Sequence, residues 1–485
     1  MKKFWLVLLL VGLIMAFSVS AFAVDVQISG SYYAAGMYLD QTSLMKGSID
    51  KSTGGSGLHN NDDVSTAFCF QRLRVRTDFT ISPGLKFITR FDALERIWGG
   101  ARSAPGTTTD LQSAGTRAEN ENIAFDWAYI EYTSPIGLFQ VGYAEDNVWG
   151  TIFGSSGSGV PSGQILYGAQ IGQVTFGAEI AKENDGNYSA VNPGATWTDT
   201  DYDRYCAFGI YNFKGGETGL LFMYNRFAND KQTPSSLTPG MGAWGVPLNM
   251  GGSYIPYANM MYIYTLAPYA KVKLGPVKLE AEVIYSWGSI NAEDGLKGYD
   301  LQLQDIMAYL NAVVDLGPVY FGGTAAYMSG DNGQNGSQVK GNVTGGGMDW
   351  NPCLIMFNQD LTYWVGSING YGGAYNFSGS YPNTGYGGMT NAWFGQLKAG
   401  VRPITNLDIN AAVSYAQADE IPAGWASNSY GWELDVTGTY KITNNLSYML
   451  GVGYWWVGDY YKGLASEQNQ VRDNYMVINK LTLTF

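Results

Sequence analysis

Residues 432–456 read WELDVTGTYKITNNLSYMLGVGYWW. Up to Thr443 the run alternates. Trp432, Leu434, Val436, Tyr440 and Ile442 form one set, and Glu433, Asp435, Thr437, Thr439 and Lys441 the other. Successive side chains of a strand point to opposite faces, so a period of two marks a strand whose faces meet different surroundings. Thr443-Asn444-Asn445 supplies a turn and a second alternating run follows, which makes a hairpin. One face is large and aromatic, the other charged. The first suits hydrocarbon and the second a wet lumen, in strands long enough for the about 9–11 residues that cross a bilayer.

The same pattern extends outward along the chain. Val277, Leu279, Ala281, Val283, Tyr285 and Trp287 alternate with Lys278, Glu280 and Glu282. Tight connections fall at Ser82-Pro83-Gly84, Ser134-Pro135-Ile136-Gly137, Gly172-Gln173 and Lys214-Gly215-Gly216. Four more fall at Gly275-Pro276, Gly317-Pro318, Arg402-Pro403 and Thr443-Asn444-Asn445. Between them lie longer polar or glycine-rich stretches, at 40–64, 99–121, 145–163, 183–202, 228–258, 288–302, 330–390, 418–429 and 458–473. Eight short turns and nine long loops make 17 connections, and hence about 18 strands with both ends on the short-turn side. The fold class is all-β: a closed antiparallel transmembrane β-barrel with short periplasmic turns and long external loops. Merged early strands give 16 instead, and residues 354–357 with 363–365 would fit a further hairpin. A soluble barrel, sandwich or propeller shares the alternation. It does not explain an outward set that is aromatic throughout, nor loops that alternate short and long.

Composition agrees. Only 14% of the residues are charged, against 64 glycines, 35 tyrosines and 14 tryptophans. At the N-terminus, Lys2 and Lys3 precede an uncharged stretch at 4–17 and the small-x-small sequence Ala21-Phe22-Ala23, the order of a secretory signal peptide. Alternation begins at Val24, so the expected division is a signal over 1–23 and an outer-membrane barrel over 24–485. Without Lys2 and Lys3, the 28 basic residues fall to 26 against 41 acidic, a charge of −15. That balance excludes nucleic acid as an expected partner.

The chain ends Leu481-Thr482-Leu483-Thr484-Phe485, and this terminus resembles the final strand of outer-membrane barrels. FQRLRVRTDFTISPGLKFITRFD (70–92) and DWAYIEYTSPIGLFQVGYAEDNVWG (126–150) resemble Gram-negative outer-membrane porins. Residues 432–456 resemble the closing hairpins of wider porins, including alginate-export-type barrels. The resemblance implies a location in the cell outer membrane, among lipid and lipopolysaccharide. It also implies passive diffusion of small hydrophilic solutes and ions, often through a trimer. Phe485 then belongs to the signal that the barrel-assembly machinery reads.

Arg72, Arg74 and Arg76 alternate with the apolar Leu73 and Val75, so they share the lumen face, where Arg90 of the next strand joins them. On the lipid face each would cost about 2–4 kcal/mol near the midplane. Two readings stand: a wall that recruits anions, or a structural network neutralised by Asp78, Asp92 and other carboxylates. The third external loop begins at Glu145 and Asp146. In trimeric porins the corresponding loop folds inward, so the resemblance makes these two carboxylates candidates for a constriction facing the arginines. Most of that segment is glycine and serine, which equally suits an ordinary surface loop. Tyr143, Trp287, Trp393, Trp432, Tyr454 and Trp456 suit interfacial girdles, whereas Tyr309, Tyr320 and Trp455 have lumen parity.

No catalytic site is expected. His59, the one histidine, lies in a loop, and neither GxSxG nor HExxH occurs. Cys69, Cys206 and Cys353 are far apart and form neither a disulfide framework nor a spaced metal motif. No metal or cofactor is expected, and no CxxCH would attach a haem. Three functions remain: a diffusion porin, a substrate-selective channel, and a conduit for another protein such as a cytochrome.

Overall fold

The computed structural model describes residues 24–41, 44–46, 65–99, 123–146, 148–155, 161–185, 201–230, 258–292, 300–332, 338–341, 349–365, 389–466 and 470–485. The expected signal at 1–23, His59 and most of the long loops lie outside these residues. The first strands are β1 (Asp25–Leu39), β2 (Thr66–Ser82), β3 (Leu85–Ile97), β4 (Ile123–Ser134), β5 (Gly137–Glu145) and β6 (Pro161–Ile171). β7 (Val174–Asn184), β8 (Tyr202–Phe213), β9 (Gly216–Asp230), β10 (Ala258–Leu274), β11 (Val277–Ala292) and β12 (Leu301–Asp315) follow. The last are β13 (Val319–Met328), β14 (Ala392–Ile404), β15 (Leu407–Ala418), β16 (Ser429–Lys441), β17 (Leu446–Val457) and β18 (Asn474–Thr484).

Each strand pairs antiparallel with its neighbours in sequence, and β18 returns to β1 with Ser31 opposite Thr484 and Leu39 opposite Met476. The result is a closed antiparallel barrel of 18 strands. Closure meets the requirement that every backbone N–H and C=O in hydrocarbon find a partner. Seven of the eight expected turns fall where glycine, proline and asparagine marked them. Gly84, Gly172, Gly215, Gly275 and Gly317 adopt φ between 60° and 95°, the left-handed region that glycine enters without steric penalty.

The eighth turn does not fall at Arg402-Pro403. Both residues lie in β14, and the chain reverses at Thr405-Asn406. Pro403 has no N–H to give the ladder, and the register with β15 shifts between Val401 and Ile404 to accommodate it. Nor do residues 354–357 and 363–365 make a hairpin. The first are irregular, and the second end the short helix α1 (Gln359–Val365).

The outer surface is apolar and carries exposed aromatic rings. Tyr143, Trp393, Trp432 and Trp456 stand out with 46–60% of their surface exposed. Tyr205, Tyr224, Tyr264, Trp287 and Tyr285 run from strand to strand with ring centroids 5.0 to 6.0 Å apart. Amphipathic rings in such rows favour the boundary between hydrocarbon and headgroups.

Phe485 takes part in closure. Its N–H donates to Gly30 O at 3.0 Å and its carbonyl accepts from Gly30 N–H at 2.9 Å, adding a last pair of bonds beyond Thr484. A Cβ at Gly30 would meet Arg74 O at 2.4 Å and the Phe485 ring at 2.8 Å, so only glycine fits this seam. Deleting Phe485, or making Gly30→Val, is expected to lower the heat-resistant folded fraction on unboiled gels. Wild-type folding of both variants would show that the seam does not govern closure.

Candidate functional site

The four arginines share one face of β2 and β3, and each has a carboxylate partner. Arg74 makes a two-pronged pair with Asp92, Nε to Oδ1 and Nη2 to Oδ2, both at 2.7 Å. Arg76 pairs with Asp78 at 2.7 Å, and Arg72 reaches Glu95 at 3.4 Å. Arg90 donates through Nε and Nη2 to Asp126 and lies 3.5 Å from the centroid of the Trp127 ring. The four guanidiniums therefore do not face one another bare. Asp78 and Asp92 were legible partners; Glu95 and Asp126 were not.

Two bulges explain why. Between Gln71 and Leu73 on one side and Ala93 and Arg96 on the other, β3 carries an extra residue, and Leu94 takes φ 52°. The shift turns Glu95 inward toward Arg72. On β4 the register breaks between Trp127 and Phe125, so Asp126 has no ladder partner in β3 and is buried together with Trp127. Strict alternation would have sent one of each pair outward.

Of the third long loop, residues 148–155 pack on β10 to β12, but Asp146 does not face the arginines. It is buried and pairs with Arg204 of β8, which also holds Glu179 at 2.8 Å and Glu183 at 2.6 Å from β7. Glu145 ends β5 exposed, with its backbone carbonyl accepting from Gln164 Nε2 at 3.1 Å. Arg204 carries no sequence signal because its strand begins YDRYC, where no three charges alternate.

Beyond Asp146 the segment 148–155 crosses to the far wall. Trp149 Nε1 donates to Ala267 O at 2.8 Å, beside Pro268, where the pairing of β10 with β11 is interrupted. Thr151 donates its N–H to Glu282 at 2.9 Å and its hydroxyl to the same oxygen. Phe153 stacks on Tyr309 with centroids 5.1 Å apart. Between this segment and the inner faces of β6 to β12 lies a cavity of about 370 Å³, lined by Trp149, Phe208, Leu221, Met223 and Ile284 with Arg204 and Glu282.

A second inward segment, 349–365, meets the first. Ser155 Oγ donates to Asp349 at 2.9 Å, and Trp350 packs edge-on to Phe153, Tyr309 and Phe394. Leu354, Ile355 and Met356 donate their N–H groups to Asp435 and Glu433 of β16. Asn358 Oδ1 accepts from Leu361 N–H at 2.9 Å at the start of α1, whose Trp364 reaches Phe70 of β2 with centroids 4.4 Å apart. Tyr309 and Trp455 are thus part of an apolar core inside the barrel. Tyr320 is tied to Asp408 and lies beneath Arg402.

No protein-family model and no curated protein sequence matches the chain. Among solved structures it is similar to Pseudomonas aeruginosa OpdQ, with 12% identity over 95% of this chain and 97% of that one, at a TM-score of 0.46. It is similar also to Pseudomonas aeruginosa OccK2 (OpdF), with 11% identity over 95% and 98% and a TM-score of 0.47. An anion-selective porin from Comamonas acidovorans matches with 10% identity over 96% and 100% and a TM-score of 0.41. These are likenesses of fold.

Glu282 is the anchor whose loss is simplest to read. Glu282→Ala leaves the buried Thr151 N–H and hydroxyl without their acceptor, a cost of about 1–3 kcal/mol per group, and the 148–155 segment should leave the wall. Single-channel conductance in a planar bilayer is expected to rise while the folded fraction stays near wild type. Unchanged conductance would mean that this segment does not narrow the passage.

Proposed function

We propose that the chain is an outer-membrane channel for passive diffusion of small hydrophilic solutes and ions, narrowed by its own loops. The observation that carries this reading is the pair of segments, 148–155 and 349–365, folded into a closed barrel whose outer face is apolar. Eighteen strands enclose a bore too wide for the strands' own side chains to fill. The inward segments reduce it, which favours a selective channel over a wide general pore. They also take up lumen space that a partner protein would need, which weighs against a conduit for a cytochrome.

Among the described residues, the inward segments pack on β8 to β12, on β14 and β16, and on β1 and β2 at Tyr33 and Phe70. The passage then follows the wall of β2 to β5, where Arg76 is the most accessible of the four arginines, its side chain 39% exposed against 8–27% for the others. Arginine keeps its proton at any working pH, so this charge is permanent. Its field is partly cancelled by Asp78, and salt weakens the remainder as the Debye length falls from about 10 Å at 0.1 M to about 3 Å at 1 M. Export by the 1–23 signal, insertion by the barrel-assembly machinery, contact with lipopolysaccharide and a trimeric assembly complete the proposal.

The paired geometry separates two roles that the sequence left together. Arg76→Gln is expected to shift the reversal potential toward cation preference at low salt and hardly at all at high salt, with normal assembly. Arg74→Gln strips the buried Asp92 and Asp126 of a partner and is expected to lower the folded fraction first. An Arg76→Gln channel that matches wild type at low ionic strength would remove this wall from the selectivity mechanism.

A further inference from the structure

We propose that Cys353, Glu433 and Asp435 form a site for a divalent cation, zinc by preference, which fastens the second inward segment to the lumen wall. The three residues are buried, and one ligand atom of each lies within 4.8 Å of the other two. Glu433 and Asp435 are alternate residues on the inner face of β16, and Cys353 comes from the segment laid over them. Nothing in the sequence joins them, because the thiol and the carboxylates are far apart along the chain.

The surroundings are built for negative charge and leave part of it unmet. Glu433 accepts Ile355 N–H on Oε1 and Met356 N–H on Oε2, both at 2.7 Å, and Asp435 Oδ2 accepts Leu354 N–H at 3.3 Å. No lysine or arginine pairs with either carboxylate among the described residues. Asp435 Oδ1 accepts from no N–H or hydroxyl and has only the neighbouring carboxyl of Glu433 beside it, although the residue is only 6% exposed. That oxygen and Glu433 Oε1 converge over Gly453 of β17, where a Cβ would lie 2.7 Å from the first and 3.4 Å from the second. Two adjacent buried carboxylates repel unless a proton or a cation lies between them. A thiol beside them selects the cation.

Thiolate and carboxylate ligands together suit zinc, whose bonds of about 2.3 Å to sulfur and 2.0–2.2 Å to oxygen draw in donors already this near. A water completes four-coordination. Binding through sulfur replaces the thiol proton, which leaves to solvent. With three ligands drawn from a loop and a strand, the ion would hold residues 353–356 to β16 more firmly than the three amide bonds alone.

The test uses the full chain purified in detergent, stripped of metal with a chelator and titrated with zinc alone against a chromophoric competitor. One zinc per chain is expected, with affinity at least tenfold weaker in Cys353→Ser and in Asp435→Asn, and unchanged in the Cys69→Ser control. Cobalt in place of zinc should give a thiolate-to-metal charge-transfer band that Cys353→Ser abolishes. Wild-type protein that takes up no stoichiometric zinc and gives no such band overturns the proposal, whether or not the variants fold. Zinc binding that both variants leave unchanged overturns it as well.

Discussion

A strand in hydrocarbon has nowhere to put an unpaired N–H or C=O, and every other feature of this barrel follows from meeting that demand. The sheet must end where it began, which β18 does by pairing with β1 and which Phe485 extends by one residue to Gly30. Closure in turn divides the side chains in two. One face must satisfy lipid, and the aromatic rows from Tyr205 to Trp287 do so at the boundary with headgroups. The other face is free to be charged, and it is.

A ring of 18 strands encloses more volume than its inward side chains fill. The chain spends acidic residues on holding its own loops there. Glu282 receives Thr151, Glu433 and Asp435 receive three successive amides of the 349–365 segment, and Asp349 receives Ser155. Backbone N–H groups are donors that any loop sequence carries, so a buried carboxylate on a rigid strand is an economical anchor for an irregular segment. The basic residues of the wall are used differently. Arg72, Arg74, Arg76 and Arg90 are each matched to an aspartate or glutamate of the same wall, and Arg204 gathers three carboxylates where the first inward loop leaves the barrel. Four guanidiniums and four carboxylates thus share one strip of the inner wall.

The barrel, its strand number and most of its turns were legible because each rests on local sequence: period two, and glycine or asparagine where φ turns positive. The same local rule erred wherever the backbone departed from it. Pro403 reads as a turn and is instead a strand irregularity, while the bulges at Leu94 and Asp126 bring inward two carboxylates that parity could not place. That Arg72, Arg74, Arg76 and Arg90 share one face was legible, but half of their partners were not. The inward course of residues 148–155 was suggested only by likeness to porins, and Asp146 meets Arg204 instead of the arginine wall. The course of residues 349–365, and the cluster of Cys353 with Glu433 and Asp435, depend on contacts between distant parts of the chain. No periodicity encodes those.

A channel narrowed by its own loops depends on the two inward segments meeting at Ser155 and Asp349. The most direct measurement is single-channel conductance in a planar bilayer for the Ser155→Cys, Asp349→Cys double variant, before and after reduction. Oxidation should form a disulfide between the segments and hold a small conductance, and reduction should let them part and raise it. Failure of the two cysteines to cross-link, or a large conductance indifferent to reduction, would contradict a channel narrowed by its own loops.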